Sequence, residues 1–191
     1  MLRYAITDGC AGDESEAASA RWAGWARLGV EFVLVREKRL EAGVLARLTR
    51  EVVAAVGAET RVLVAGRVDV ALAAGAGGVH LSARDGELSV GQVLQVMPRA
   101  FVSVSCHTLD EVRRAREDGA SAVLFGPVFG KTVAGVEVVA GVGLGALREA
   151  CKAAGGMPVF ALGGVSAGNA ESCVEAGAAG VAGIRMFAGA P

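Results

Sequence analysis

Two glycine-tipped apolar runs near the C-terminus bring together the residue types that hold an anion. In Pro158-Val159-Phe160-Ala161-Leu162-Gly163-Gly164-Val165 a buried strand emerges into a glycine pair. With no Cβ in the way, backbone N–H groups there can approach a ligand closely. Gly180-Val181-Ala182-Gly183-Ile184-Arg185 repeats the arrangement and adds a cation. Gly163, Gly164, Gly183, Ile184 and Arg185 therefore read as a phosphate-binding cup. Arg36 and Lys38 stand two apart after another apolar run, so on extended chain both side chains share one face and Glu37 takes the other. Ser105 and His107 close a further run, Lys131 and Thr132 lie in a long glycine-punctuated stretch, and Asp8 and Asp85 follow two others. Cations beside bare amides suit a phosphorylated ligand. His80 ends an apolar run and reads first as a core histidine, while Asp8-Gly9 and Asp85-Gly86 read equally well as turns.

The elements that must position these residues follow one grammar. Leu28-Gly29-Val30, Ala74-Gly75-Ala76, Asp118-Gly119-Ala120 and Ala176-Gly177-Ala178 each end a helix on a glycine in the left-handed cap position and lead into a strand. Alternating with them are the strands Tyr4–Thr7, Val62–Ala65, Phe101–Ser105 and Pro158–Leu162, for eight short apolar runs of the kind buried on both faces of a parallel sheet. Helical patterns occupy the gaps: 14–28, 42–56, 68–74, 89–96, 109–118, 143–154 and 169–176. Trp22, Trp25, Leu45 and Leu48 are expected to face the sheet, and Thr108-Leu109-Asp110-Glu111 is a capping box. Strict alternation over eight strands predicts a single (β/α)8 barrel across residues 1–191. In such barrels the loops after strands seven and eight commonly bind phosphate. The chain ends soon after its eighth strand, so the eighth outer helix is expected to be missing or vestigial, leaving apolar surface for a second copy in a homodimer. The stretch 126–141 reads as a lid at the barrel rim.

Composition narrows the function classes. Hydrophobic residues make up 53% and charged residues 20% of the chain, with a net charge of −1, so neither nucleic acid nor a membrane surface is an expected partner. Apolar runs are too short to span a bilayer, and Met1-Leu2-Arg3-Tyr4 lacks the build of a signal peptide. Four scattered cysteines without a C-x-x-C pair read as free thiols, and the expected location is the cytoplasm.

With these residues in place, the chain resembles the thiamine phosphate synthase/TenI family of (β/α)8 barrels. The resemblance rests on Tyr4-Ala5-Ile6-Thr7-Asp8, Val35-Arg36-Glu37-Lys38, Gly66-Arg67-Val68-Asp69-Val70-Ala71-Leu72 and Gly78-Val79-His80-Leu81. It continues through Val104-Ser105-Cys106-His107-Thr108, Phe125-Gly126-Pro127-Val128-Phe129 and Ala161-Leu162-Gly163-Gly164-Val165, nearly end to end and in the family's order. It implies thiamine biosynthesis: synthases join a pyrimidine pyrophosphate to a thiazole phosphate with Mg²⁺, and TenI relatives bind the thiazole phosphate or tautomerise it. Arg36 and Lys38 match the synthase's pyrophosphate-binding pair, Ser105 matches a residue meeting the same group, and Asp85 matches one Mg²⁺ aspartate. Gly163 and Gly164, with the backbone near Gly183 and Ile184, match the thiazole-phosphate site. The departures are specific. Ala65-Gly66 replaces the synthase's Asn-Asp, Leu34 replaces a Gln, and Gly130-Lys131-Thr132-Val133 is the nearest remnant of Thr-x-Thr-Lys. Loss of a carboxylate at Gly66 weakens any Mg²⁺ site, which favours the TenI-like reading over the synthase. Pro127 stands where the tautomerase has its catalytic His, so His107 or His80 would carry the proton. A non-catalytic phosphate-binding module is the third expectation, and a sugar-phosphate isomerase barrel is a fallback from fold alone.

Overall fold

The computed structural model describes residues 1–7, 16–82, 88–133 and 136–187, with 16–19, 131–133 and 136–138 described by backbone alone. In chain order the elements are β1 Leu2–Ile6, α1 Glu16–Arg27, β2 Phe32–Val35, α2 Ala42–Val56, β3 Arg61–Ala65, α3 Val68–Ala74, β4 Gly78–Leu81, α4 Val90–Val96 and β5 Phe101–Cys106. There follow α5 Leu109–Glu117, β6 Ala122–Phe125, β7 Lys131–Val133, β8 Val136–Val139, α6 Gly143–Ala154, β9 Val159–Leu162, α7 Ala170–Glu175 and β10 Gly180–Gly183. Eight of these strands close into a parallel barrel in the order β1-β10-β9-β6-β5-β4-β3-β2. The expected architecture is the observed one. Gly29, Gly75, Gly119 and Gly177 all take positive φ, between 67° and 103°, where each helix turns toward its next strand. Among the described residues there are seven α-helices, and a single 3-10 turn, Arg185–Phe187, follows the last strand. That turn is tied down by Trp25, whose Nε1–H donates to the Phe187 carbonyl at 2.8 Å.

Period two along the strands sorts side chains into two cores. Outward residues such as Val33, Val64, Val79, Val102, Val123 and Val181 pack beneath the helices together with Trp22, Trp25 and Leu45. Inward residues Tyr4, Ile6, Leu34, Leu63, Leu124 and Phe160 fill the barrel. Its floor is aromatic. Phe32 lies 4.8 Å from Phe101 and 5.5 Å from both Tyr4 and Phe160, centroid to centroid. Such contacts add about 0.5–1.5 kcal/mol each beyond the area they bury.

The stretch expected as a lid is built differently. β7 and β8 form an antiparallel hairpin separate from the barrel. Its root is fastened to β9: Val128 N–H donates to Leu162 O at 2.8 Å and Phe129 N–H to Gly163 O at 2.9 Å. Val142 and Gly143 return to Pro127 and Val128 carbonyls at 2.9 Å each, and Val128 is fully buried.

Candidate functional site

At the C-terminal ends of the strands lies a cavity of about 960 Å³. Arg36, Glu37, Lys38, Arg67, His80 and Ser105 are among its walls, with His107, Glu111, Leu162 and Ile184. Thus Arg36, Lys38, Ser105, His107 and Ile184, all singled out from sequence, meet at one space, and His80 joins them there. Gly163, Gly164, Gly183 and Arg185 stand one position along the chain from Leu162 and Ile184 or next to that position, but outside the cavity's lining. Lys131 opens β7, described by its backbone. Asp85 and Asp8 lie outside the described residues.

The expected alternation of Arg36, Glu37 and Lys38 does not hold. β2 stops at Val35, so the next residues no longer follow a pleat. Glu37 is the most buried of the three at 6% exposure and lines the cavity with its neighbours. Arg36 is positioned by its backbone, whose N–H donates to Thr7 Oγ1 at 3.0 Å. Arg67, beyond β3, also reaches the rim. It forks onto Asp69 at 2.9 and 2.6 Å, and this guanidinium holds the Asp69 carboxyl below its ordinary range.

Inside the barrel a polar vein joins β1, β4 and β5. Tyr4 Oη lies 2.9 Å from Ser103 Oγ, Ser103 Oγ lies 2.9 Å from His80 Nδ1, and His80 Nε2 lies 2.9 Å from Ser105 Oγ. His80, 8% exposed, is the buried histidine expected, and with both ring nitrogens hydrogen-bonded it links the barrel interior to the cavity wall. The signal for it was the alternation itself. Val102 and Val104 pack outward, so Ser103 and Ser105 must point inward, as must His80 between Val79 and Leu81.

His107 is exposed and sits differently. Its Nδ1 is 2.5 Å from the Gly126 carbonyl, which only accepts, so Nδ1 carries the proton and Nε2 keeps its lone pair. The helix that follows is capped as expected: Glu111 Oε2 accepts from His107 N–H at 2.5 Å and Thr108 N–H at 3.0 Å. Next to it, burial and then the Glu111 charge push the Cys106 thiol up to about 12. Cys106, Cys151 and Cys173 are all free thiols.

The tips of β9 and β10 are adjacent, with Ala182 paired to Leu162. Gly163 and Gly164 have φ of 93° and 67°. A Cβ on Gly164 would lie 2.7 Å from Phe129 Cβ and 2.9 Å from the Gly130 carbonyl oxygen, and one on Gly163 would lie 2.6 Å from Pro127 Cα. The pair thus has a second reason to be glycine: the hairpin root occupies the space side chains would need. Among the described residues the N–H groups of Gly163 and Gly164 find no backbone acceptor.

Among the described residues the carboxylates on the cavity wall are Glu37 and Glu111, and Glu111 is committed to its helix cap. Gly66, beyond the end of β3, offers no side chain. Among the described residues no group of three or more His, Cys, Asp or Glu comes close enough to hold a metal. Mg²⁺ wants an oxygen-rich octahedron, so the described side chains do not make a site for it.

Fold and mouth together define an eight-stranded α/β barrel whose strand-end cavity gathers cations, serine hydroxyls and two imidazoles. The family model described as thiamine monophosphate synthase (TMP-TENI) matches residues 3–187, and the chain belongs to that family. It is 38% identical over 165 residues to a thiamine-phosphate synthase of Methanoculleus marisnigri, covering 84% of this chain and 75% of the relative. It is 37% identical to a putative thiamine-phosphate synthase 2 of Aquifex aeolicus, covering 83% of each chain. Among solved structures, thiamine phosphate pyrophosphorylase from Pyrococcus furiosus superposes with a TM-score of 0.82 at 26% identity, covering 99% of this chain and 89% of that one.

Proposed function

We propose that the chain binds a thiazole phosphate at the barrel mouth as a TenI-like member of its family. The phosphate is held between the adjacent tips of β9 and β10, by the amides near Gly163, Gly164, Gly183 and Ile184, with Arg185 beside them. Arg36 and Lys38 contribute positive potential from the opposite wall. The observation that carries this reading is the convergence of Arg36, Lys38, Ser105, His107 and Ile184 on one cavity. His107 is the group suited to moving a proton on the bound thiazole, because Nε2 keeps its lone pair while Nδ1–H is anchored to Gly126 O. His80 is not suited, because both its ring nitrogens are engaged by serine hydroxyls. Among the described residues the donor set favours this over the coupling reaction: Gly66 has no carboxylate, and Glu111 caps its helix.

A second reading, a thiamine phosphate synthase, has its own support. The relatives at 37–38% identity are named for that activity, Pro127 replaces the tautomerase His, and about 960 Å³ is ample for two small substrates. One experiment separates them. Purified protein given the pyrimidine pyrophosphate, thiazole phosphate and Mg²⁺ is expected to form no thiamine phosphate above background, and to convert the non-aromatic thiazole carboxylate phosphate to its aromatic tautomer. His107→Ala is expected to slow that conversion at least ~100-fold. Coupling at an ordinary enzymatic rate overturns the TenI-like reading, and tight binding without conversion makes the chain a ligand-binding relative.

A further inference from the structure

The polar vein through the barrel has a direction. The Tyr4 hydroxyl is fully buried, and among the described residues Ser103 Oγ is its hydrogen-bond partner. A buried O–H without an acceptor is costly, so Tyr4 donates and Ser103 accepts. Burial raises the Tyr4 pKa, so the phenol keeps its proton. Ser103, also fully buried, has one proton of its own, and His80 Nδ1 at 2.9 Å is where it goes. The reverse, His80 Nδ1–H donating to Ser103, would fill both oxygen lone pairs and strand the serine proton. His80 Nδ1 is therefore an acceptor, and the neutral ring carries its proton on Nε2. That Nε2–H donates to Ser105 Oγ at 2.9 Å. Ser105 is left with its own proton free of the vein, on a side chain that lines the cavity.

We propose that His80 is a positioning residue: Tyr4, Ser103 and His80 form a one-way hydrogen-bond relay that fixes the Ser105 hydroxyl as a donor toward an anionic oxygen in the cavity. That this oxygen belongs to a bound thiazole phosphate rests on the function proposed above; the relay itself does not. A serine free to rotate would point a lone pair at the ligand part of the time, and repulsion from an anionic oxygen would weaken binding. The relay narrows that choice: His80 Nε2–H occupies one Ser105 lone pair and keeps the hydroxyl proton from turning back to His80, which biases it toward the cavity. It spans four side chains on three strands, and no proton leaves its own atom.

The test uses the ligand-free protein first. With only two histidines in the chain, ¹⁵N spectra of the ring nitrogens assign readily, using His107→Gln to remove one set. His80 is expected to show a protonated Nε2 and bare Nδ1, the opposite tautomer to His107. Tyr4→Phe, which frees Ser103 from accepting, is expected to shift His80 toward a tautomer mixture. A His80 found protonated at Nδ1, or unmoved by Tyr4→Phe, overturns the relay. Calorimetry with thiazole phosphate follows. Ser105→Ala and His80→Phe are each expected to weaken binding about tenfold, and the double variant no further, because they remove one interaction. His80→Gln, whose amide can still donate to Ser105, is expected to recover most of the loss. Fully additive losses overturn the positioning role. Failure of wild-type protein to bind thiazole phosphate overturns the ligand reading, while the tautomer measurement still decides the relay.

Discussion

The two walls of the cavity are made of different material. On the β2–β5 side the surface is side chain: Arg36, Glu37, Lys38, His80, Ser105 and His107, with Arg67 at the rim. On the β9–β10 side the described lining is Leu162 and Ile184, and beside them stand two strand tips ending in glycine, the hairpin root pressed against the β9 tip. The difference teaches where binding and stability can be separated. A side-chain wall can lose a contact while the barrel stands. A backbone wall cannot, because the same glycines that bare their amides also admit Pro127 and Phe129.

Gly164→Ala would break the comparison most forcefully. It asks alanine to adopt φ 67° and puts Cβ 2.7 Å from Phe129 Cβ. Left-handed strain plus overpacking is expected to cost about 2–4 kcal/mol, read as an earlier denaturant midpoint with an unchanged m-value. If the variant is as stable as wild type, the hairpin root is not fixed against the tip and the two walls are alike after all.

On the other wall, Arg36→Met and Lys38→Met are expected to weaken thiazole phosphate binding by roughly 10-fold or more each, the range for hydrogen bonds to charged groups. Thermal midpoints are expected to stay within a few degrees of wild type. A loss of stability as large as that at Gly164 would mean these cations hold the mouth together and do not merely face a ligand.

The smallest effect sharpens the contrast within the side-chain wall. Arg67 and Asp69 satisfy each other at an exposed position, with side-chain exposures of 40% and 64%. Asp69→Asn is therefore expected to cost less than about 1 kcal/mol. The Asp69 carboxyl is held below its ordinary 3.8, so whatever the pair contributes is present at neutral pH and lost as pH falls below that value. The variant and wild type should thus converge in stability in strong acid; a gap that persists there would point to a packing role.

How much of this was legible in the sequence follows the same division. Helix bounds at Ala42–Val56, Val68–Ala74 and Gly143–Ala154 match their patterns residue for residue, because amphipathic period and glycine caps are local signals. The glycine-tipped runs were legible too, and the barrel sets them side by side. Glu37 was misread because alternation was extended past Val35, where the strand ends. The β7–β8 hairpin was hidden by its glycines, and its hold on Leu162 and Gly163 is a contact between segments some thirty residues apart in sequence. The relay was half legible. Period two turns Ser103, Ser105 and His80 inward, but which of them touch depends on strand register, and Tyr4 meets Ser103 across 99 residues of chain. The Asp85 reading lies outside the described residues, and no helix among those described is long and apolar enough to cross a membrane.

The aromatic floor has a kinetic consequence. Tyr4, Phe32, Phe101 and Phe160 close the barrel beneath the cavity, so the mouth is a blind well. Ligands must enter and leave by the same rim, so a bulky one bound there should slow the exit of a smaller one beneath it. Inhibition patterns with two ligands would then depend on their order of addition, a memory that a barrel open at both ends would not possess.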